Sequence, residues 1–457
     1  MDSFLFLNKG DSSSLLKNLE EGNRPNNTYS NSEISLMTSS EIITNDNNSV
    51  LTIVGDLYNN YGNMTGLLNK LEENINSIKE LDGDFIGFLH NTKTGKNVIF
   101  RDKTGTYPIY YSKKDSHLMV GIKIKNILKH PEVKGKINSH SVKQDIKNDS
   151  VKLPNTILEE IYRVMPGNCL IISNDEINKK TIFNHERRME TFDSEIRNKL
   201  SEALKKSINK RFEGNTALLY SGGFDSTVLA VEMKKLNKPI KTYTFADSEG
   251  HVDVTMAKKT SEEVGFENEI KIYEEEEIID GLPKGIFNFE GMKPVFNPTF
   301  NEINEENLIS GQGECVSFLA KKFSFSEKLK NFRCIDKIAR GVEKSIRYPY
   351  LSKDLVDLSK NIKKYEDQNI LRKIYEKEIP ERINKRRKFG ANQAFSNSLD
   401  KMKEMSNKMI SDEYKKSHEY GKIVRSKFQI LLFDVFKEIF IENNCKIPKN
   451  FLINDLY

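Results

Sequence analysis

The sequence predicts an α/β protein in two parts: a sheet-rich N-terminal domain and a C-terminal domain that is built on a parallel sheet and ends in a helical tail. Short β-rich runs separated by turn signals fill residues 51–121. Beyond residue 190 strand-like and helix-like segments alternate, which is typical of a parallel sheet with crossover helices. The polar stretch NHERRMETFDSE lies between the two patterns, so we predict domains at 1–189 and 190–457.

Composition limits the kinds of protein that this chain can be. A length of 457 residues, with 37% hydrophobic and 30% charged residues, suffices for two or three domains with real cores. The net charge of +5 is too balanced for a nucleic-acid footprint. The four cysteines are far apart and form no Cys-x-x-Cys pair, which argues against a zinc or disulfide framework. Without a leader pattern or a membrane-length apolar run, we expect a cytoplasmic protein with no nucleic-acid or membrane partner.

Elements of the C-terminal domain follow from hydrophobic periodicity. A helix is predicted where apolar residues recur every fourth position, at Phe192, Ile196, Leu200, Leu204 and Ile208. The runs TALLY, IKTYTF and EIKIY are predicted strands, and STVLAVEMKKL and HVDVTMAKKTSEEVG are predicted helices between them. In the tail, one apolar face is formed by Phe428, Leu431, Leu432, Val435, Phe436, Ile439 and Phe440. This face predicts a helix that packs on its own domain.

The hexapeptide SGGFDS, residues 221–226, joins the first predicted strand to the helix that follows it. A Gly-Gly pair at this point lets main-chain N–H groups approach a ligand, and the helix N-terminus adds a positive dipole end. Ser221 and Ser226 offer hydroxyl donors to phosphate oxygens. Asp225 fits such a site if Mg²⁺ bridges its carboxylate to the phosphates. The loop therefore predicts a bound nucleotide, although the chain lacks the Walker pattern and a complete dinucleotide fingerprint.

On these residues SGGFDS resembles the PP-loop of ATP pyrophosphatases, which release AMP and pyrophosphate. In the N-terminal half, GDLYNN, LDGDFIGFLHN, RDKTGTYPIYY and PNTILEEIYRVMPGNCL resemble the amidotransferase domain of asparagine synthetases. In the C-terminal half, LISGQGEC, GVEKSIRYPYL and ILRKIYEKEIPERINKRRKFG are similar to the synthetase domain of that superfamily. The resemblance implies an N-terminal Ntn-hydrolase-like αββα domain and a C-terminal PP-loop domain of the adenine nucleotide α hydrolase type.

The glutaminase-like half departs from its family. The family nucleophile is an N-terminal cysteine, whereas this sequence starts Met1-Asp2-Ser3. Val54 stands where the family has an asparagine, and GNMTG replaces its SDxE segment. Arg101 and Asp102 remain, but they match a structural turn. We therefore expect a glutaminase-like domain without glutaminase chemistry, as in β-lactam synthetases and lasso-peptide cyclases.

For the synthetase-like half, the resemblance implies that ATP and Mg²⁺ activate a carboxylate. The residues implied to bind the nucleotide are Leu219, Ser221, Gly222, Gly223, Asp225, Ser226, Thr244, Ser310 and Gly311. Lys388 and Glu343 match catalytic positions of the family, and Asp253 matches an acidic position whose alternative role is a helix-start carboxylate. Asp225 and Glu314 are the expected metal ligands, although Glu314 is one position early for the family's GxDE motif.

Gln312 stands where asparagine synthetases have Glu and β-lactam synthetases have Tyr. A neutral amide cannot act as a general base, so that role moves elsewhere or is lost. We expect an AMP-forming amide ligase that joins a small-molecule or peptide carboxylate to an amine. An asparagine synthetase that uses free ammonia and a non-catalytic ATP-binding scaffold remain open, as does a homodimer. A PP-loop tRNA thiolase is the least favoured alternative, because no cysteine pair is available to carry sulfur.

Overall fold

A computed structural model provides the architecture. It describes residues 4–8, 26–31, 34–59, 62–114, 117–173, 176–183, 194–293, 300–313, 339–360, 370–386, 395–449 and 451–457. The chain forms two compact units. The first contains residues 1–184, 289–293 and 410–457, and the second contains residues 185–288 and 294–409.

Strands recur throughout the described N-terminal residues and at intervals in the second unit. They are β1 (Phe4–Asn8), β2 (Asn27–Ser30), β3 (Ile34–Thr38), β4 (Ile43–Thr44), β5 (Val50–Leu57), β6 (Gly83–Asn91), β7 (Lys96–Arg101), β8 (Tyr110–Lys114), β9 (His117–Gly121), β10 (Tyr162–Arg163), β11 (Asn168–Ser173), β12 (Glu176–Thr181), β13 (Thr216–Leu219), β14 (Thr242–Ala246), β15 (Glu269–Ile272), β16 (Asn307–Ser310) and β17 (Ser345–Arg347).

Helices are concentrated in the second unit and the tail. They are α1 (Met64–Glu73), α2 (Ile124–Leu128), α3 (Ser139–Asn148), α4 (Ser194–Arg211), α5 (Phe224–Lys235), α6 (Val252–Val264), α7 (Glu275–Asp280), α8 (Leu282–Phe289), α9 (Lys353–Lys360), α10 (Ile370–Ile374), α11 (Glu381–Asn384), α12 (Ser396–Met409), α13 (Asp412–Ser417) and α14 (Lys427–Lys437). Within the described ranges, none of these helices is long and apolar enough to cross a membrane.

The first unit is a sandwich of two antiparallel sheets. Their described strands follow the orders β10-β8-β9-β1-β3-β2 and β12-β11-β7-β6-β5-β4. Apolar side chains from both sheets form one buried cluster that includes Phe4 and Phe6 of β1 and Phe88 of β6. The other face of the second sheet packs against the apolar face of α1, and α2 contacts β8 and β9. This helix, sheet, sheet, helix layering confirms the predicted αββα domain.

The second unit is built on a parallel sheet with the order β15-β14-β13-β16-β17 among the described strands. The runs predicted from periodicity form β13, β14 and β15, with α5 and α6 as the crossovers between them. The central strands are buried because helices cover both faces of such a sheet. Since all five strands run in the same direction, the loops at their carboxyl ends meet at one edge.

The tail differs from its predicted domain assignment. Residues 410–457 group with the N-terminal unit, whereas the predicted boundaries placed them in the domain 190–457. The predicted apolar face of α14 is buried, and the Gln429 side-chain amide donates a 3.1 Å hydrogen bond to the Ile146 carbonyl. Tyr420 and Ser139 hydroxyls lie 3.0 Å apart. Periodicity correctly showed a helix with a buried face, but a pattern along one segment carries no information about which surface covers it.

Candidate active site

The SGGFDS loop lies at the carboxyl end of β13, where it leads directly into α5. Gly222 has φ +62°, in the left-handed region that favours glycine. A Cβ atom at Gly222 would lie 2.5 Å from the main-chain nitrogen of Ala257 in α6. Both the conformation and the close approach therefore require glycine at this position.

Hydroxyl groups brace the loop from inside. Ser221 Oγ lies 3.3 Å from Ser226 Oγ and accepts a 3.3 Å hydrogen bond from the main-chain nitrogen of Gly223. Ser226 Oγ and Thr227 Oγ1 donate to the Gly223 carbonyl at 3.2 and 2.8 Å. Asp225 lies half-buried in the first turn of α5, where the helix dipole favours a carboxylate. The result is a preformed turn of the kind that binds anions.

The second predicted motif meets the first at this edge. Ser310 ends β16, which pairs with β13 so that Ser310 lies opposite Leu219. A Cβ atom at Gly311 would lie 2.9 Å from the Ser226 nitrogen, so only glycine allows the turn to approach the start of α5 this closely. The SGGFDS loop and the SGQG turn therefore lie next to each other at the carboxyl ends of β13 and β16.

Gln312 follows within the same turn. Its main-chain nitrogen donates a 3.2 Å hydrogen bond to Ser310 Oγ. Its side-chain carbonyl oxygen is buried and accepts no hydrogen bond from the part of the chain that the structure describes. A buried amide oxygen of this kind is available to a donor group on a ligand.

A tyrosine holds the first turn of α5. Tyr350, in the helical turn Pro349–Leu351, is fully buried and its hydroxyl donates a 2.8 Å hydrogen bond to the Asp225 carbonyl. The neighbouring Leu351 contacts the position of Gly313, where a Cβ atom would lie 2.8 Å from Leu351 Cγ. The segment that follows β17 therefore supports both motifs from the side of the sheet.

Two arginines of the segment 370–386 reach the loop. Arg386 donates to the Gly222 carbonyl at 3.3 Å and to Asp253 Oδ1 at 2.6 Å. Arg372 lies 4.7 Å from the centre of the Phe224 ring, within the range of a cation–π interaction. Asp253, in the first turn of α6, is thus paired with Arg386. This ion pair is an additional contact of the predicted helix-start carboxylate.

Leu219 ends β13, and Thr244 lies in the middle of the neighbouring strand β14, where Tyr243 is opposite Leu219. Leu219 is partly buried at the end of β13. The Thr244 hydroxyl is buried and donates a 2.7 Å hydrogen bond to the Tyr220 carbonyl, with Asn268 as a second partner. Its side chain therefore connects two strands.

The structure does not bring Glu343 to this edge. The strand β17 is parallel to β16 with Ser345 opposite Asn307, so Glu343 precedes the amino end of its strand. The adjacent Lys344 donates to the Ile303 carbonyl, which precedes β16 on the same side. Glu343 is exposed, with φ +61°. It is therefore separated from the loop by the length of the strands, about 3.3 Å per residue.

Two predicted residues, Lys388 and Glu314, lie outside the described residues. Among the residues that are described, no group of three or more His, Cys, Asp or Glu side chains is arranged to hold a metal ion. Asp225 is therefore the predicted metal ligand whose position is known.

The altered positions of the N-terminal unit have structural roles. Val54 is fully buried in the cluster between the two sheets, so no polar anchor is present at that position. Asn63, in the GNMTG segment, caps α1 by accepting a hydrogen bond from the Thr65 nitrogen. Arg101 donates to the Tyr107 and Val164 carbonyls at 2.7 and 2.8 Å, which agrees with the structural turn expected from the sequence.

Sequence reasoning did not single out Tyr350, Arg372 or Arg386. All three occur inside the motifs GVEKSIRYPYL and ILRKIYEKEIPERINKRRKFG, which carried the family resemblance. The motifs therefore contained the signal, but the contacts of these side chains with Asp225, Phe224 and Gly222 depend on tertiary structure.

Comparisons with known proteins agree with this architecture. A family profile described as "Glutamine amidotransferase domain" matches residues 66–183, and one described as "Asparagine synthase" matches residues 195–300 and 322–434. The chain is 22% identical over 256 residues to "Asparagine synthetase [glutamine-hydrolyzing] 1" of Bacillus subtilis (strain 168), covering 54% of this chain and 40% of the relative. It is 27% identical over 227 residues to "Asparagine synthetase [glutamine-hydrolyzing]" of Pongo abelii, covering 46% of this chain and 38% of the relative.

A solved structure entitled "Glutamine phosphoribosylpyrophosphate (PRPP) amidotransferase from B. subtilis complexed with ADP and GMP" matches 80% of this chain and 88% of that chain. The TM-score is 0.25 at 11% identity, a level at which no shared fold is inferred. The two family profiles match consecutive parts of the chain, the first in the N-terminal unit and the second mainly in the unit that follows it, and together they identify the family. The chain belongs to the asparagine synthetase superfamily.

Proposed function

We propose that this protein is an ATP-dependent, AMP-forming ligase that adenylates a carboxylate and passes the acyl group to an amine without hydrolysing glutamine. The observation that carries the proposal is the close approach of the SGQG turn to the start of α5, where Gly311 meets Ser226. This contact assembles a helix N-terminus, serine hydroxyls and a glycine turn into one anion site.

The loop's own groups define its role in the first step. A carboxylate oxygen of the substrate attacks the α-phosphorus of ATP, the bond to the β-phosphate breaks, and pyrophosphate leaves with the electron pair. The main-chain N–H groups of residues 222–226 and the serine hydroxyls would bind the leaving pyrophosphate, whose negative charge grows as the bond breaks. Leu219, Ser310 and Gly311 would contact the nucleoside, with Thr244 holding the strand ends in place.

The residues present are compatible with Mg²⁺. This ion commonly takes one or two protein carboxylates and completes its coordination with substrate phosphates and water. Asp225, with its half-buried carboxylate in the first turn of α5, meets that requirement, and Glu314 is the second proposed ligand. When bound, Mg²⁺ would supply charge neutralisation at the phosphates.

In the second step an amine attacks the acyl carbon, the bond to AMP breaks, and AMP leaves with the electron pair. Gln312 cannot remove the proton of the amine, but its buried side-chain oxygen can accept a hydrogen bond from it. The proton passes to solvent or to the departing phosphate. We propose that Lys388 stabilises negative charge in the transition states of both steps, on the phosphate in the first and on the attacked carbonyl in the second. We assign no role to Glu343 because of its position.

The absence of glutamine hydrolysis is supported by Val54. A side chain that is fully buried between two sheets cannot anchor a free glutamine at the position where the family has asparagine. The amine would then come from a substrate, either a small molecule or a peptide, and an intramolecular reaction would produce a ring. The printed names of the curated relatives describe glutamine-hydrolysing enzymes, so glutamate release is the direct test of this part.

A second candidate is an asparagine synthetase that uses free ammonia. It is favoured by the same loop and by the names of the relatives. A third candidate is an ATP-binding scaffold without turnover. These candidates differ in which substrates, if any, allow pyrophosphate to exchange into ATP.

The test is ATP–pyrophosphate exchange by the full-length protein, with a panel of carboxylates and with ammonia, glutamine or primary amines as acceptors. We expect exchange that depends on a carboxylate, release of AMP when an acceptor amine is also present, and no glutamate formed from glutamine. Asp225→Ala and Lys388→Ala should each lower the rate by about 10³-fold. The matched control is Asp280→Ala, which removes an exposed carboxylate at the end of α7.

Each of the other outcomes points to a different candidate. Asparagine formed from aspartate and ammonia would support the second candidate and exclude the first. ATP binding without exchange for any carboxylate would support the scaffold. Full activity in both Asp225→Ala and Lys388→Ala would show that the assigned site is incorrect.

A further inference from the structure

We propose that Arg386 and Asp253 form a positioning pair that fixes the shape of the SGGFDS loop. This inference rests on the proposed function, because it assigns a task to residues around the same loop. It goes beyond the family resemblance, which leaves two alternative roles for Asp253 and assigns no role to Arg386.

The guanidinium of Arg386 makes two contacts at once. One nitrogen donates to the Gly222 carbonyl at 3.3 Å, and the other donates to Asp253 Oδ1 at 2.6 Å. The side chains of Arg386 and Asp253 are only 11% and 12% exposed. A largely buried ion pair with a short, charge-assisted hydrogen bond holds its geometry far better than a solvated one.

These contacts lie on the face of α6 that the loop already touches. Asp253 and Ala257 are four residues apart on α6, so their side chains lie on the same face of the helix. Ala257 is the residue whose main chain packs against Gly222. Arg386 therefore links the SGGFDS loop to α6 at the point where the two are in contact. Its hydrogen bond to the Gly222 carbonyl also restrains a residue whose φ angle is in the left-handed region.

A second arginine holds Arg386 itself. Arg372 donates a 2.8 Å hydrogen bond to the main-chain carbonyl of Arg386, and a 3.3 Å hydrogen bond to that of Ile383. The same guanidinium packs on the ring of Phe224, the aromatic residue of the SGGFDS loop. The end of the segment 370–386 is thus attached to the loop both through Arg372 and through Arg386.

This attachment has a consequence for catalysis. The main-chain N–H groups of the loop are the proposed donors to the leaving pyrophosphate, so a change in the shape of the loop moves groups that act in the first step. Misplacing a catalytic group by about 1 Å can cost on the order of 10²-fold in rate. Arg386 is a positioning residue in this proposal, since it acts through Gly222.

The chain offers a matched control in Arg382. This arginine lies on α11 and extends to α6, where it pairs with Glu263 and donates a 3.3 Å hydrogen bond to Thr260. Like Arg386, it joins the segment 370–386 to α6, but it does not contact Gly222. A general loss of packing between this segment and α6 should affect Arg382→Gln and Arg386→Gln equally, whereas the proposed role should affect only the second.

The first measurement is amide hydrogen exchange without nucleotide, on peptides that cover residues 219–227. We expect Arg386→Gln to speed exchange at the loop by about tenfold or more, because opening becomes easier by about 1.4 kcal/mol per tenfold change. Arg386→Lys should give an intermediate effect, since a lysine ammonium keeps the charge but lacks the two-point fork. Arg382→Gln should leave exchange at the loop at the wild-type rate.

The second measurement separates kcat from KM in ATP–pyrophosphate exchange. We expect Arg386→Gln to lower kcat by about 10²-fold while KM for ATP changes by less than about threefold. Asp253→Asn should lower kcat less than Arg386→Gln, because the contact with Gly222 survives. The double variant should be no worse than Arg386→Gln alone, since both changes act through one pair.

The outcomes distinguish this inference from the proposed function. Exchange activity that is absent even in the wild-type protein would refute the proposed function, and amide exchange alone would then decide the role of the pair. If Arg386→Gln and Arg382→Gln have the same loop exchange and the same kcat, the inference is overturned. If Arg386→Gln does not fold, Arg386→Lys and Asp253→Asn decide: wild-type loop exchange in both would overturn it.

Discussion

The hydroxyl of Tyr350 donates a 2.8 Å hydrogen bond to the main-chain carbonyl of Asp225, one residue into the helix that begins at the candidate site. This bond connects the segment after β17 to the first turn of α5, although 125 residues separate the two in sequence. Because the Tyr350 ring is fully buried, its hydroxyl is held in place and restrains the first turn of α5.

Tyr350→Phe tests this connection. The substitution keeps the ring and removes the hydroxyl, so we expect a loss of about 1 kcal/mol in the free energy of unfolding. We also expect weaker binding of Mg²⁺·ATP, because Asp225 loses one restraint on its turn. Denaturant unfolding and ATP titration would measure the two effects. Tyr414→Phe, in the tail, is the control, and equal ATP affinity in Tyr350→Phe and wild type would contradict the expectation.

Gly311→Ala tests the contact between the two motifs. A Cβ atom at this position would lie 2.9 Å from the Ser226 nitrogen, so the turn or the start of α5 has to shift. Overpacking of this kind costs about 1–3 kcal/mol in stability, and we expect a larger effect on pyrophosphate exchange. Gly250→Ala is the matched control, since nothing lies within 4 Å of a Cβ atom there. Exchange at the wild-type rate in Gly311→Ala would show that the two motifs act independently.

Asp145 provides a test of pH dependence. Burial raises the pKa of Asp145 from 3.8 to about 6, against the opposing charge of Lys293. The folded state therefore holds this proton more tightly than the unfolded state, and stability falls as the pH rises from about 4 to about 6. Asp145→Asn cannot ionise, so it should be more stable than wild type by on the order of 2 kcal/mol at neutral pH and equal to it at about pH 4.

Unfolding by denaturant at several pH values would measure this difference. Glu176→Gln, at an exposed carboxylate in β12, is the control and should follow the wild-type curve throughout. A stabilisation of Asp145→Asn that is the same at acidic and neutral pH would show that ionisation is not its cause.

Ile439→Ala tests where the tail belongs. Ile439 is fully buried, and removing a buried side chain of this size costs about 2–5 kcal/mol. We expect faster amide exchange in α3, of the N-terminal unit, and unchanged exchange in α5. Leu229→Ala, at an equally buried position of α5, should produce the reverse pattern. Faster exchange in α5 than in α3 after Ile439→Ala would assign the tail to the second unit.

Much of the second unit could be predicted from the sequence because its signals are local. The strand β13 is an apolar run that ends in a Gly-Gly turn, and α5 begins where the loop residues end. Glycine is required at position 222 both by its φ angle and by the contact with α6. The local structure therefore restricts the residue type, and this restriction is visible in the sequence.

The parts that were not predicted depend on contacts between distant segments. Glu343 and Tyr350 occur in one short motif, but β17 lies between them and places them at opposite edges of the sheet. The pairing of Arg386 with Asp253 spans 133 residues. The tertiary fold decides whether a charged residue is solvated or is paired with a residue so far away in sequence. Hydrophobic periodicity along one segment does not predict such a pair.

The division of the first unit along the chain has a consequence for protein synthesis. Residues 1–184 leave the ribosome well before residues 410–457, which complete the same unit. At bacterial or eukaryotic elongation rates of roughly 5–20 residues per second, the delay is on the order of ten seconds or more. During this time the surface that α14 later covers stays exposed on the nascent chain, and the first unit is complete only once residues 410–457 have been synthesised.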